Sequence, residues 1–122
     1  MNALPPAHPM TPEQAAWLAG LLDGEGCFDA PRNNPRIRVK MSDHDVIIRA
    51  ADLMDASTHL ETPGRHGYKP LMVAQITGAR AVAVMRAVLP LLSARRTAKA
   101  TSLITAYATR PASRSRHLRS AA

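Results

Sequence analysis

Hydrophobic and polar residues change period several times along this chain, and each change marks an element. After the proline-rich residues 1–10, Thr11-Pro12-Glu13-Gln14 offers an N-cap threonine, a proline at the first helical position and a glutamine completing a capping box. A helix is predicted through AAWLAGLLDGEG. Cys27–Ala30 reads as a short strand, and beyond the turn Pro31-Arg32-Asn33-Asn34-Pro35 the run Arg36-Ile37-Arg38-Val39-Lys40-Met41 alternates basic and apolar residues strictly. That period of two predicts a strand with one buried face. Ser42 is placed to cap a second helix from Asp43 to Ala56, with Val46, Ile47, Ala50, Leu53 and Met54 as its apolar face. Thr58–Thr62 and Leu71–Thr77, separated by the turn Pro63-Gly64-Arg65-His66-Gly67, predict a second strand pair. Thr77-Gly78 opens a third helix carrying Val82, Met85, Val88, Leu89 and Leu92 at helical spacing, which Pro90 kinks or ends. A fourth helix, Arg95–Thr109, has Ala98, Leu103, Ile104 and Tyr107 on its apolar side.

The order predicts an α+β fold: one antiparallel sheet with its helices on one face, plus a C-terminal helix. The folded domain is expected over residues 11–110, with a flexible leader at 1–10 and a basic, disordered tail at 111–122. No apolar run approaches the roughly 20 residues that span a bilayer, and no secretory signal is evident, so a soluble, cytoplasmic protein with no membrane partner is expected. Cys27 is the only cysteine, which excludes an intrachain disulfide and any multi-cysteine zinc site.

Charge narrows the partner. Of the 122 residues, 16 are Lys or Arg and 9 are Asp or Glu, a formal charge of +7. All nine acids lie in residues 1–61, where five basic residues leave a net −4, whereas residues 62–122 hold eleven basic residues and no acid, a net +11. Such a chain favours a polyanion, nucleic acid before membrane. Arg36, Arg38 and Lys40 fall on one strand face about 7 Å apart, a row suited to regularly spaced phosphates or to a major groove. Asp29, Arg32, Asn33 and Asn34 on the first hairpin, and Arg65, Tyr68 and Lys69 on the second, supply further groups able to reach bases or phosphates. With aromatics at 3%, recognition of RNA by base stacking is disfavoured.

The first helix is apolar almost all round, with Trp17, Gly20, Leu21 and Gly24 on one side and Leu18 and Leu22 on another. Either a central core helix or one packed on both its own domain and a partner fits that pattern. It ends in Asp23-Gly24-Glu25-Gly26, where carboxylates face the negative end of the helix dipole. A divalent cation would offset that placement, and hard oxygen donors open to phosphate suit Mg²⁺. The five histidines show no paired spacing for a metal, and no Gly-x4-Gly-Lys loop supports a nucleotide cofactor.

Leu18-Ala19-Gly20-Leu21-Leu22-Asp23-Gly24-Glu25-Gly26 resembles the signature of the LAGLIDADG homing endonucleases. The resemblance extends through the element order and Leu89-Pro90-Leu91-Leu92 over roughly residues 14–108. It implies the family's α-β-β-α-β-β-α fold with a saddle-shaped sheet reading double-stranded DNA, and Mg²⁺-dependent double-strand cleavage. A single motif implies a homodimer packed through Trp17, Gly20, Leu21 and Gly24. By the same resemblance, Glu25 and the main-chain carbonyl of Gly24 are the metal ligands, Asp23 is structural, and Arg95 steadies charge at the scissile phosphate beside its neighbour Arg96. Two positions depart from the pattern: Glu25 stands where aspartate is commoner, and Met41 where some members carry a polar residue. They support the alternative, a DNA-binding regulator or splicing cofactor that does not cleave. A third possibility is a small basic interaction protein without a nucleic-acid role.

Overall fold

The capping box forms on both sides: Gln14 N donates to Thr11 Oγ1 at 3.1 Å and Thr11 N to Gln14 Oε1 at 2.9 Å. It starts α1, Pro12–Glu25, in a computed structural model that describes residues 9–62 and 67–110. There is no loop after α1, since β1, Gly26–Asp29, begins at the next residue. A Cβ on Gly26 would lie 2.8 Å from the Leu22 carbonyl oxygen and 2.9 Å from Leu22 Cδ2, so only glycine fits where the strand leaves the helix. A 3-10 turn at Pro31–Asn33 leads to β2, Arg36–Met41. Then come α2 (His44–Met54), β3 (Ser57–Glu61), β4 (Leu71–Thr77), α3 (Gly78–Val88), a 3-10 turn at Leu89–Leu91 and α4 (Ala94–Ala108).

The four strands form one antiparallel sheet in the order β1-β2-β4-β3, so the two strand pairs join through their inner strands. Ile37 lies opposite Ile76 and Val39 opposite Ala74, and all four are buried. This is the apolar half of the predicted alternation. It meets Leu18 and Leu22 of α1, Ile47 and Met54 of α2, and Met85 and Val88 of α3 in one core. Helices α1, α2 and α3 all pack against β2, and α4 packs against β1 and α3. Each fully buried Leu or Ile here stabilises the fold by about 1.5–3 kcal/mol relative to exposure.

Three local expectations change. Asp43, not Ser42, is the α2 N-cap, because Ser42 is still in the bend that leaves β2; neither side chain bonds the helix start. Helix α2 also stops at Met54, where Asp55 turns left-handed (φ 56°) and donates its N–H to the carbonyls of Ala51 and Asp52. On α4 the buried alanine is Ala100, packed near Leu103, while Ala98 is exposed. Ala100, Leu103, Ile104 and Tyr107 keep helical spacing, which Ala98 breaks. Pro90 acts as expected, with α3 ending at Val88 and the proline in the following 3-10 turn. Of the predicted second turn, Pro63–His66 lies outside the described residues, as do the leader up to His8 and the tail from Pro111. No helix among the described residues is long and apolar enough to cross a membrane.

Candidate functional site

Because side chains alternate across a strand, burying Ile37 and Val39 puts Arg36, Arg38 and Lys40 on the opposite sheet face, where all three side chains remain partly exposed. The register adds Cys27 and Asp29 from β1, Val73 and Gln75 from β4, and Ser57, His59 and Glu61 from β3 to that open face. The basic row is therefore not bare. Arg36 donates twice to Asp29, Nε to Oδ1 at 2.8 Å and Nη2 to Oδ2 at 2.6 Å, a bidentate pair that raises the guanidinium's affinity for its proton. Arg38 Nη2 donates to Glu61 Oε2 at 2.6 Å, and Lys40 Nζ donates to Glu61 Oε1 at 2.8 Å. The hydrogen bond from Lys40, then the charges of Lys40 and Arg38, hold the Glu61 carboxyl below the usual range.

Glu61 sits on the far edge strand, so its side chain must cross β4 to reach β2. Val73, opposite Lys40 on one side and His59 on the other, is 0% exposed although it is not part of the main core cluster. The Nε of Arg38 is also buried, with no acceptor among the described residues.

The other predicted contact residues flank this face at its two ends. Arg32, Asn33 and Asn34 are exposed where the chain turns from β1 to β2, Arg32 and Asn33 at positive φ (55° and 64°). Tyr68 and Lys69 are exposed just before β4, at the opposite end of the sheet; Arg65 lies outside the described residues. Sequence reasoning passed over Glu61. The available signal was the alternation Ser57, His59, Glu61, which puts a carboxylate on the same face as the cations once the strand order is known.

A second cluster forms where α1 ends. Glu25, the last residue of α1, is exposed, and no ion pair or side-chain hydrogen bond engages it among the described residues. The residues around it are tied to α4. Asp23 Oδ1 accepts the N–H of Ser93, the α4 N-cap, at 2.9 Å, and Arg96 Nη1 donates to the carbonyl of Gly26. Arg95, in the first turn of α4, is exposed on the same side of the joint, close enough for its charge and that of Arg96 to act on Asp23. Among the described residues no three His, Cys, Asp or Glu converge on a cation site. At this joint the described residues offer one free carboxylate, Glu25, and the carbonyls at the end of the helix, Gly24 among them, which have no helical N–H to accept. Such a donor set fits a hard divalent cation that takes its remaining ligands from elsewhere.

The Asp23 contact has a pH signature. The Ser93 N–H, then the Ser93 hydroxyl, with help from Arg96 and Arg95, holds the Asp23 carboxyl below its ordinary 3.8. A depressed carboxylate stabilises the fold fully above the unfolded pKa, and that contribution is lost as pH falls through the folded value. The variant Asp23→Asn should melt lower than the parent at neutral pH, and the gap should close below about pH 4. A gap that stayed constant into acid would show that the carboxylate's charge does not matter there.

On α1 the chain's own core covers one side only. Leu18, Ala19 and Leu22 are buried, Trp17 and Leu21 are half-buried, and Ala16, Gly20 and Gly24 face outward. The guanidinium of Arg49 stacks 4.0 Å from the centre of the Trp17 ring. A Cβ built on Gly20 or Gly24 would meet nothing within 4 Å. Among the described residues, the two glycines therefore serve no packing need.

No protein-family model matches this sequence, and no curated protein matches it. Solved structures do. Two crystal structures of the homing endonuclease I-CvuI bound to DNA are similar, one with the I-CreI target (C1221) at 2 mM Mg with the DNA not cleaved, the other with its own target (Sro1.3) at 2 mM Ca. Each aligns with a TM-score of 0.57 at 15% identity, over 76% of this chain and 64% of the endonuclease chain. This likeness shows a homing-endonuclease-like fold, and the chain spans 64% of the length of the proteins it matches.

Proposed function

We propose that this protein is a site-specific, Mg²⁺-dependent endonuclease of double-stranded DNA, of the LAGLIDADG homing type, acting as a homodimer. The observation that carries the reading is Glu25: a carboxylate left free at a helix end, two residues after Asp23 and one before Gly26, both of which are held by α4. A carboxylate fixed in place yet uncommitted is what a ligand to a phosphate-bound cation requires. The nine-residue resemblance to the family signature, the fold shared with DNA-bound endonucleases and the outward Gly20/Gly24 face support the same reading.

In this scheme the open sheet face binds duplex DNA with Arg36, Arg38 and Lys40 central, Arg32, Asn33 and Asn34 at one end and Tyr68 and Lys69 at the other. Asp29 sets the orientation of Arg36. Glu25 and the Gly24 carbonyl would hold Mg²⁺, and a second copy, docked through Trp17, Gly20, Leu21 and Gly24, would bring its own Glu25 alongside. When bound, the cation supplies Lewis-acid stabilisation of phosphate charge and a water of lowered pKa. Arg95, exposed at the positive end of α4, adds stabilisation for the charge that accumulates at the phosphate. Hydrolysis in two equivalent sites would cut both strands of a near-palindromic target.

The deciding experiment incubates the protein with a library of long duplexes and Mg²⁺ and sequences the ends produced. Discrete double-strand cuts that vanish with a chelator support the reading; binding without cuts favours the second reading, a DNA-binding regulator or splicing cofactor. That second reading is supported through the family resemblance by Met41: where some members carry a polar residue, this chain has a methionine that packs against the core at the end of β2.

A further inference from the structure

Each cation of the β2 row is already held by a carboxylate on the same open face: Arg36 by Asp29, and Arg38 and Lys40 together by Glu61. Three cations and two carboxylates leave this part of the face with a single net positive charge. A surface meant only to grip phosphates would not be built so. We propose that Glu61 and Asp29 are specificity-determining residues, which keep the basic row from binding DNA of arbitrary sequence and release it only to a duplex that offers base-edge acceptors in its place.

The physical case rests on competition. A phosphate displacing Glu61 from Arg38 and Lys40 gains one charge-assisted contact and loses another, so sequence-independent binding, which depends on neutralising phosphates, gains little. A guanine edge offers an arginine two acceptors in fixed geometry, and a cytosine amino group offers the freed carboxylate a donor. The correct sequence therefore repays both halves of the broken pair, whereas phosphate repays only the cations. The buried Arg38 Nε, without an acceptor in the closed bridge, has no hydrogen bond to lose when the side chain swings out. The bridge lies across β4, so both ends are set by the sheet rather than by a loop, which fixes the two groups in register with each other.

This inference rests on the DNA-binding reading, and the test separates the two. The full chain and the variants Glu61→Gln, Asp29→Asn and the double variant are titrated with a duplex of about 30 base pairs of arbitrary sequence, from about 50 to 200 mM salt. As a control, Asp52→Asn removes an equal charge from an exposed position on α2, outside the sheet. Each face variant should steepen the salt dependence by about 0.9 in log–log slope and bind about ten-fold tighter at about 50 mM, with the double variant gaining about twice the slope, while the control changes little. Selected from a randomised duplex pool, the face variants should yield a flatter consensus than the parent. Thermal melting checks that each variant is folded, and Asp29→Asn keeps the proposal testable should Glu61→Gln fail to fold. If the parent binds DNA but the face variants match it in affinity and slope, or the control gains as much as they do, the proposal is overturned. If neither parent nor variants bind at the lowest salt, the DNA-binding reading itself falls and takes the proposal with it.

Discussion

Replacing Glu25 by glutamine is expected to lower Mg²⁺-dependent double-strand cleavage by about a thousand-fold or more while DNA affinity changes by about two-fold at most. Glutamine keeps the size and one carbonyl oxygen but not the charge that holds a divalent cation. Glu25 takes part in no ion pair among the described residues, so the substitution removes no fold contact. Its carboxylate also faces the unfavourable end of the α1 dipole, so the melting temperature should stay level or rise slightly. Cleavage is read on targets recovered from the library, binding on the same targets with Ca²⁺ in place of Mg²⁺. A variant that cuts at the parental rate would remove Glu25 from the site. Loss of cutting together with loss of binding would make the residue structural rather than a metal ligand.

The second large effect concerns Gly20. Among the described residues a Cβ here meets nothing within 4 Å, and alanine in place of glycine within a helix is favourable by about 1 kcal/mol. A monomer should therefore gain stability from Gly20→Ala and tolerate Gly20→Leu. A homodimer packed through this face should do neither. Overpacking costs about 1–3 kcal/mol per site, and near a two-fold axis the leucine enters from both copies, so Gly20→Leu should weaken association by about 30-fold to 10⁴-fold. Sedimentation across a range of protein concentrations would show dimer in the parent and monomer in the variant. If Gly20→Ala raised the melting temperature and both variants kept the parental mass, the proposed dimer face would be wrong and the reason for a mid-helix glycine would lie elsewhere.

Elements with a strong local code were readable from sequence, and those settled by long-range pairing were not. The capping box at Thr11 and Gln14 needs only four residues, and both of its hydrogen bonds form. The strict alternation from Arg36 to Met41 identified the buried and open faces of β2 correctly, because a one-residue slip would have moved Ile37 and Val39 out of the core. Alanine carries little hydrophobic signal, which is why Ala98 and Ala100 could be exchanged on α4 when its apolar stripe was read. At the candidate site, Glu25 stood out through its motif, and Arg95 through its place after the third helix. What could not be read was that the basic row is partnered. Glu61 is 23 residues from Arg38 and 21 from Lys40 in the chain and reaches both only because β4 lies between β3 and β2. Strand order, not residue pattern, turned a row of free cations into a set of ion pairs.

The joint between α1 and β1 bears on any attempt to change what this protein binds. Glu25 closes the helix, Gly26 opens the strand, and no Cβ can be accommodated between them. For the proposed activity, the cutting group and the recognition surface are thus one mechanical part, without a hinge to absorb error. A redesign of β1 or β2 that tilts the duplex on the sheet displaces Glu25 from the phosphate by a comparable amount. Selection for new binding alone should therefore return tight but idle variants, and target changes that preserve cutting should be those that exchange side chains while leaving the strand paths alone.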